Sequence, residues 1–312
     1  MENNYFLILD CLQNFQITDY DQYREILSVS KDAAKRIRCL SILNLDYSKY
    51  STKLICNEKL FPLFRNLTNL YLHGSSKIRT IDMSVYAKQY KNKYGSYPCL
   101  LKIKMKNFGS AHPITILTEL VSLNVSENTL SPNTSNALSY LTCLKLTMNS
   151  GKLTRFACLN NLKTFKFKNA RLENILEINN AQYTNLRRLT IFSSYCGLNI
   201  SFNNLQLTYL HFRNNEGKAS INLDRNTSLR YLKLRYIQII DSIEYFRNAS
   251  RLYYLRCNTC ENEIELSKRN NPCLRHLILE NINNVVLYDL TNVVDGRLNE
   301  ISNLKIDYFQ IG

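Results

Sequence analysis

The sequence predicts an α/β solenoid in which about twelve short parallel strands stack side by side. The first observation is a recurring pattern, L-x-x-L-x-L, seen for example at Leu229 (LRYLKL) and Leu274 (LRHLIL). The second is its spacing, because successive copies begin 20 to 33 residues apart and mostly close to 22. Such a period is typical of repeat proteins, in which one repeat cannot bury its apolar side alone and neighbours stack into a common core.

Each copy of the pattern predicts one strand. In LRYLKLR, Leu232 and Leu234 alternate with Tyr231, Lys233 and Arg235. Side chains of a strand alternate between its two faces, so the leucines point to the core and the other three point outward. The clear copies begin at Leu67, Leu120, Leu141, Leu162, Leu186, Leu207, Leu229, Leu252 and Leu274, and weaker copies begin at Leu40, Leu100 and Ile301.

A second apolar pair follows the start of a repeat by roughly 12 to 16 residues. Its examples are Ile200-Ser-Phe202, Ile221-Asn-Leu223 and Ile264-Glu-Leu266. The period leaves no room for long helices on the return side. We therefore expect short strands or 3₁₀ turns there.

The repeat resembles the leucine-rich repeat family, whose signature is L-x-x-L-x-L-x-x-N/C-x-L. Several copies have Asn at the ninth position, as at Asn128, Asn149 and Asn215, and Cys260 holds it in another copy. The resemblance covers about residues 40–312, and we place the repeat domain at residues 39–312. It implies a curved sheet whose concave side is the usual binding surface.

Residues 1–38 lack the repeat, and their apolar spacing, with Phe6, Leu9 and Leu12 in one run, predicts a small helical cap. The segment also resembles a degenerate F-box, which would dock to the adaptor subunit of a cullin-type ubiquitin ligase. The docking residues that this resemblance implies are Ile8, Leu9, Leu12, Ile26, Leu27 and Val29. A plain cap over the first strand is the alternative interpretation.

Two further places depart from the period. An insertion at about residues 79–98 contains YAKQYKNKYGSYP, which is basic and rich in tyrosine. We interpret it as a solvated loop, with a second partner contact as the alternative. At the carboxyl end, an exposed apolar sheet edge would be open to a partner or a second copy.

Composition narrows the class of protein. The formal net charge of +15, from 40 Lys and Arg against 25 Asp and Glu, favours an acidic partner. The sequence has no stretch of 18 apolar residues and no signal-peptide pattern at its start. The 10 Cys are therefore expected to be reduced thiols in an intracellular protein, cytoplasmic or nuclear.

Sequence motifs for catalysis are missing, so we expect no enzyme activity and no cofactor. The phosphate-binding glycine motifs and the G-x-S-x-G elbow do not occur. One Cys-x-x-Cys pair, Cys257 and Cys260, falls on core positions of a repeat, and no second pair follows at a zinc-site spacing. We expect no metal site.

The outward positions carry the functional prediction. The third, fifth and seventh positions of twelve repeats give 36 residues, of which 12 are Lys or Arg and three are acidic. Tyr209, Tyr231 and Tyr254 share the third position in successive repeats and predict an aromatic ladder. The predicted partner-binding residues are Lys102, Lys104, Lys106, Lys145, Lys166, Lys168, Arg188, Tyr209, His211, Arg213, Tyr231, Lys233, Arg235, Tyr254 and Arg256.

These features favour a non-catalytic protein that binds an acidic protein on its concave face. With the F-box resemblance, the expected role is substrate recognition for a cullin-based ubiquitin ligase. A repeat scaffold with no ubiquitin link is one alternative. A single-stranded nucleic-acid binder is another, because basic rows with stacking aromatics also suit that ligand.

Overall fold

The computed structural model describes residues 14–17, 31–45, 64–74, 80–96, 98–106, 110–112, 119–126, 138–147, 159–171, 176–177, 183–195, 199–201, 206–214, 219–223, 226–240 and 242–307. The chain divides into two compact units, residues 1–146 and 147–312. Among the described residues, no helix has the length and apolar character needed to cross a membrane. The six predicted adaptor-docking residues, Ile8 to Val29, lie outside the described residues.

Within the described residues, unit 1 consists of short parallel strands and two helices. Its elements are β1 (Asn14–Ile17), α1 (Lys31–Arg36), β2 (Cys39–Leu45), β3 (Asn69–Gly74), β4 (Thr80–Asp82), α2 (Met83–Tyr94), β5 (Lys102–Lys106), β6 (Ser110–His112), β7 (Ser122–Ser126) and β8 (Cys143–Thr147), whose last residue crosses the unit boundary. The main sheet follows the order β1-β2-β3-β5-β7-β8, and β4 pairs with β6. Each repeat therefore adds its strand beside the preceding one.

Two elements of the amino-terminal segment lie within the described residues, one strand and one helix. Lys31–Arg36 is a helix, whereas Asn14–Ile17 is a strand that pairs in parallel with the start of β2. Its sequence, NFQI, alternates polar and apolar residues, which suits a strand better than a helix. The helical prediction is therefore wrong for these four residues.

The insertion contains a helix and not the loop that we favoured from its sequence. Helix α2 buries Ala87 and Tyr90, which are 0% and 5% exposed. The Tyr90 hydroxyl donates a hydrogen bond to the carbonyl of Arg65 at 2.5 Å, which ties the helix to the chain before β3. Ala87 and Tyr90 are three residues apart, as expected for one face of a helix. We did not recognise this spacing because the segment is rich in lysine.

Unit 2 contains the longer run of regular repeats. Its elements are β9 (Thr164–Arg171), β10 (Leu176–Glu177), β11 (Arg188–Tyr195), β12 (Asn199–Ser201), β13 (Tyr209–Arg213), β14 (Ala219–Asn222), β15 (Tyr231–Arg235), β16 (Ile237–Ile240), α3 (Ser242–Asn248), β17 (Tyr254–Ser267), β18 (His276–Tyr288) and β19 (Asp295–Asp307). The main sheet follows the order β9-β11-β13-β15-β17-β18-β19. The return segments form a second parallel sheet, β10-β12-β14-β16, as predicted.

The predicted alternation between core and surface holds in unit 2. Strand β15 has Leu232 and Leu234 in the core, 0% and 2% exposed, whereas Tyr231 is 38% exposed. Neighbouring strands are aligned in the same register, so Leu210, Leu232 and Leu255 lie side by side. Each such leucine contributes about 1.5 to 3 kcal/mol of hydrophobic stabilisation.

The register of the last repeat differs from our prediction. We placed its start at Ile301, but Asp295 pairs with His276, so the repeat begins at Val293. Gly296 takes the fourth position of the repeat, where the other repeats have an apolar residue. The L-x-x-L-x-L pattern is therefore not recognisable in this repeat.

This correction changes the outward residues of the last strand. Counted from Ile301, Lys305 and Asp307 took the fifth and seventh positions and therefore the outward face. They pair instead with Val286 and Tyr288, in the second half of β18. The outward positions belong to Asp295, Arg297 and Asn299.

A sharp corner separates the outward strand from the return limb in four successive repeats. The residue at the eighth position has a positive φ each time, at Tyr236 (57°), Thr259 (54°), Asn281 (55°) and Glu300 (53°). Residues other than glycine rarely adopt this conformation. Stacking of the repeats therefore holds each corner in place against a local backbone cost.

A buried asparagine links helix α3 to the following repeat. The side-chain amide of Asn271 donates to the carbonyls of Phe246 at 2.9 Å and Ala249 at 3.3 Å. Its oxygen accepts from the backbone N–H of Ser267 at 3.2 Å. Each of the two carbonyls also accepts a backbone N–H, that of Phe246 from Ala249 and that of Ala249 from Leu252, so the Asn271 amide adds a second hydrogen bond to each.

Candidate functional site

The outward side chains of β9, β11, β13, β15 and β17 form a surface that we call the basic face. It comprises the third, fifth and seventh residues of five repeats: Thr164, Lys166, Lys168, Arg188, Thr190, Phe192, Tyr209, His211, Arg213, Tyr231, Lys233, Arg235, Tyr254, Arg256 and Asn258. Seven of these 15 residues are Lys or Arg, and none is Asp or Glu. The strands hold them in rows, because the apolar residues between them fill the core and are at most 2% exposed.

An aromatic row runs along the third position of the basic face. The ring centroids of Tyr209 and Tyr231 are 6.2 Å apart, as are those of Tyr231 and Tyr254. The second pair is stacked, with 28° between the planes. The centroids are farther apart than the neighbouring backbones, about 4.8 Å, because the rings are offset. The row continues to His276, whose ring lies 6.0 Å from Tyr254.

Cations lie over these rings. The guanidinium carbon of Arg188 is 5.5 Å from the centroid of Tyr209, and Nζ of Lys233 is 5.1 Å from that of Tyr254. On the adjoining corner, the guanidinium of Arg235 lies 5.2 Å from the ring of Tyr236. Each contact of this kind contributes about 0.5 to 1 kcal/mol at an exposed site. The rings therefore orient the cations as well as offering contact area.

His211 lies at the centre of the positive charge. Burial lowers its pKa from 6.5 to about 4, and Lys233, Lys166, Arg213 and Arg256 act in the same direction. The imidazole is therefore neutral at pH 7. Four cations from four strands surround a side chain that adds no charge of its own.

Among the outward positions of β9 to β19 that the structure describes, carboxylates occur only on β18 and β19. Glu280 on β18 accepts hydrogen bonds from Asn258 and Arg256, the latter at 3.3 Å. The bond from Asn258 is the main cause that lowers the pKa of Glu280, and Arg256 contributes in the same direction. On β19, Asp295 lies 3.7 Å from both His276 and Arg297. The charge on this end of the sheet is thus largely compensated.

Four predicted residues belong to unit 1. Lys102 and Lys145 are exposed, and Nζ of Lys104 lies 5.9 Å from the ring centroid of Tyr71. Lys106 ends β5, and its side chain is outside the described set. The other eleven predicted residues belong to unit 2 and lie together on the basic face.

No protein-family model matches the chain, and no curated protein matches it in sequence. Its fold is similar to the crystal structure of an internalin (inlF) from Listeria monocytogenes str. 4b F2365, with a TM-score of 0.55. The match covers 89% of this chain and 82% of that chain at 17% sequence identity. The chain has the leucine-rich repeat fold. The basic face is thus the outward side of the main strands of this leucine-rich repeat solenoid.

The Cys-x-x-Cys pair belongs to the leucine-rich repeat core, as predicted. Cys257 and Cys260 are 0% and 2% exposed. The hydrogen bond between the two thiols is the main cause that raises the pKa of Cys257 and lowers that of Cys260. In the part of the chain that the structure describes, no group of three or more His, Cys, Asp or Glu is placed to hold a metal ion.

Three aromatic contributors were missing from our residue prediction. Phe192 takes the seventh position of β11, where it contacts the His211 ring at 4.8 Å and lies 5.3 Å beneath Nζ of Lys166. Tyr253 and His276 extend the aromatic row, with ring centroids 5.3 Å apart. The repeat register identifies Phe192 and His276 as outward residues. Tyr253 stands at the second position, which the alternation rule does not assign to either face.

Proposed function

We propose that this leucine-rich repeat solenoid acts by binding a protein and that the basic face of unit 2 is its binding surface. The observation that carries the proposal is the charge pattern, with seven cations and no carboxylate among 15 outward residues. A merely solvated face would mix both signs of charge. The complementary partner is an acidic segment of another protein.

The aromatic residues favour a protein partner. Tyr and Arg are, together with Trp, the side chains most enriched in interface hot spots. Tyr offers a large contact area, and Arg adds charge-assisted hydrogen bonds. Tyr231 and Arg235 are the first and last residues of β15, which lies beside β13, the central strand of the basic face. We therefore expect the largest binding contribution there.

A synthetic Glu-rich peptide tests the charge requirement. We expect the full chain to bind it with an affinity that falls as salt rises from 50 to 500 mM, concentrations at which the screening length shortens from about 14 to about 4 Å. Lys233→Glu combined with Arg235→Glu should weaken binding by about tenfold or more, because both substitutions place like charges against the peptide. Fluorescence anisotropy measures the affinity.

The matched control carries the same charge change away from the basic face. Arg251 and Arg269 are exposed residues in turns. Arg251→Glu with Arg269→Glu should alter peptide affinity by less than about twofold. Equal losses for the two double variants would show that net charge alone attracts the peptide, and the proposed surface would be wrong.

The ubiquitin-ligase role is a narrower proposal that rests on the F-box resemblance of residues 1–38. Its docking residues lie outside the described residues, so the resemblance alone supports it. Co-purification of the ligase adaptor with the full chain tests it. Binding of single-stranded nucleic acid also stays a prediction from the sequence.

A further inference from the structure

We propose that the centre of the basic face is a binding site for a phosphate monoester carried by the partner protein, with Arg213, Lys233 and Arg235 as its oxyanion contacts. The inference rests on the proposed function and names the chemical group that the surface selects. It depends on three features of the site, which are the density of cations, the positioning of Arg235 and the neighbouring rings.

The density of cations exceeds what a single carboxylate requires. Arg213 on β13 is the direct neighbour of Arg235 on β15. Two residues earlier on the same strands, His211 is the neighbour of Lys233. A carboxylate is satisfied by one forked guanidinium, whereas a phosphate monoester carries nearly two charges and three acceptor oxygens. Cations on adjoining strands can therefore share one phosphate group.

Arg235 is held by packing and not by an ion pair, although it is near enough to Glu280 to help lower the pKa of that carboxyl. Its guanidinium packs on Tyr236 at 5.2 Å, and within the described residues it forms no ion pair. Its Nε is buried and has no hydrogen-bond acceptor in the same part of the chain. A cation held by packing keeps its remaining donors directed to a ligand, and an incoming oxyanion gains from this arrangement.

Arg256 marks the limit of the site. It already contacts Glu280 at 3.3 Å, and Asn258 donates to the same carboxylate. Glu280 would repel a dianion beyond β17. The phosphate group is therefore expected over β13 and β15 and not at the β18 end of the sheet.

The tyrosine rings beside the three proposed phosphate contacts favour phosphotyrosine over phosphoserine or phosphothreonine as the source of the phosphate. Tyr231 and Tyr254 stack at 6.2 Å, with Lys233 against Tyr254. This arrangement offers an aromatic surface beside the cations, so a phosphotyrosine should gain stacking contacts that a phosphoserine or phosphothreonine lacks. Phenyl phosphate and methyl phosphate represent the two classes.

Calorimetric titration of the full chain with phenyl phosphate, methyl phosphate and benzoate at constant ionic strength tests the proposal. We expect both phosphates to bind at least about tenfold more tightly than benzoate, because the dianion engages several charge-assisted hydrogen bonds. Tyr231→Ala should remove any advantage of phenyl over methyl phosphate. Benzoate binding as tightly as the phosphates would overturn the proposal.

Variants locate the site. Arg235→Gln and, separately, Lys233→Gln should each weaken phenyl phosphate binding by about tenfold, while the exposed control Arg269→Gln should leave it unchanged. Melting temperatures of all three variants report whether the fold is kept. Equal effects of Arg235→Gln and Arg269→Gln would contradict the assignment.

The two proposals fail in different ways. If phenyl phosphate does not bind but the Glu-rich peptide does, the phosphate site is wrong and the acidic-partner surface stands. If phenyl phosphate binds at these residues and the peptide does not, the phosphate site stands, and an acidic segment alone is not the ligand.

Discussion

At the residue scale, the pKa of His211 reflects the concentration of positive charge on the basic face. Its pKa of about 4 results first from burial and then from four surrounding cations. Lys233 is its direct neighbour on β15. A neutral imidazole in this position adds no positive charge to the face, so the charge comes from the lysine and arginine side chains around it.

We expect the free energy of unfolding to fall as the pH is lowered from about 6.5 to about 4. The folded-state pKa of His211 is depressed, so the unfolded chain takes up this proton first, and acid then favours unfolding. The stabilising contribution is fully present above pH 6.5 and is lost through this window. Urea unfolding at a series of pH values measures it.

His211→Gln provides the control for this prediction. The variant should lose less stability than the wild type between pH 6.5 and 4, because position 211 no longer takes up a proton. Lys233→Met should raise the pKa of His211, as measured by its imidazole NMR signals. Parallel pH profiles for wild type and His211→Gln would show that other groups cause the acid sensitivity.

The sequence predicts which residues point outward on the basic face, but it does not predict which rings contact one another. The alternation in LRYLKLR is enough to assign Tyr231, Lys233 and Arg235 to one side of the strand. It is silent about Tyr253, whose ring lies 5.8 Å from that of Tyr231. A second-position residue reaches the face only through the tilt of its side chain, which the pattern does not encode.

At the element scale, Asn271 shows how one repeat is tied to the preceding helix. Its side chain is fully buried and makes three hydrogen bonds to backbone groups of α3 and the β17–β18 turn. Asn271→Ala should lower the free energy of unfolding by about 2 to 4 kcal/mol, since three buried hydrogen bonds are lost together. Chemical denaturation measures the loss.

The adjacent residue offers a matched control for Asn271. Asn270 is only half-buried in the same turn. Asn270→Ala should change the free energy of unfolding by less than about 0.5 kcal/mol. Similar losses for the two alanine variants would mean that the turn itself, and not the buried amide, limits stability.

Element boundaries were predicted well where the motif was intact and poorly where one residue departed from it. Strands β13, β15 and β17 begin at Tyr209, Tyr231 and Tyr254, the positions that the pattern assigns to them. In the last repeat Gly296 replaces an apolar residue, and the next L-x-x-L-x-L-like run begins after the corner at Glu300. The register of β19 is set by its pairing with β18, so the strand keeps its position although Gly296 has no side chain to bury.

At the scale of the whole molecule, the same periodicity determines both the core and the outward surface. It places the apolar residues of each repeat in a common core and lines up the outward residues of neighbouring repeats in rows. Seven cations are brought together in unit 2 although they come from residues as far apart in sequence as Lys166 and Arg256. The sequence predicts these rows because the period is regular, but the absence of carboxylates becomes meaningful only once the rows are known to be adjacent.

The most direct test compares the proteins captured from cells by three versions of the full chain. These are the wild type, Tyr231→Ala with Arg235→Glu, and the control Tyr140→Ala with Arg251→Glu, which alters exposed residues outside the basic face. Quantitative mass spectrometry should find partners held by the wild type and the control, lost from the basic-face variant, and enriched in acidic segments. Capture of the same proteins by all three versions would contradict the claim that the basic face is the binding surface.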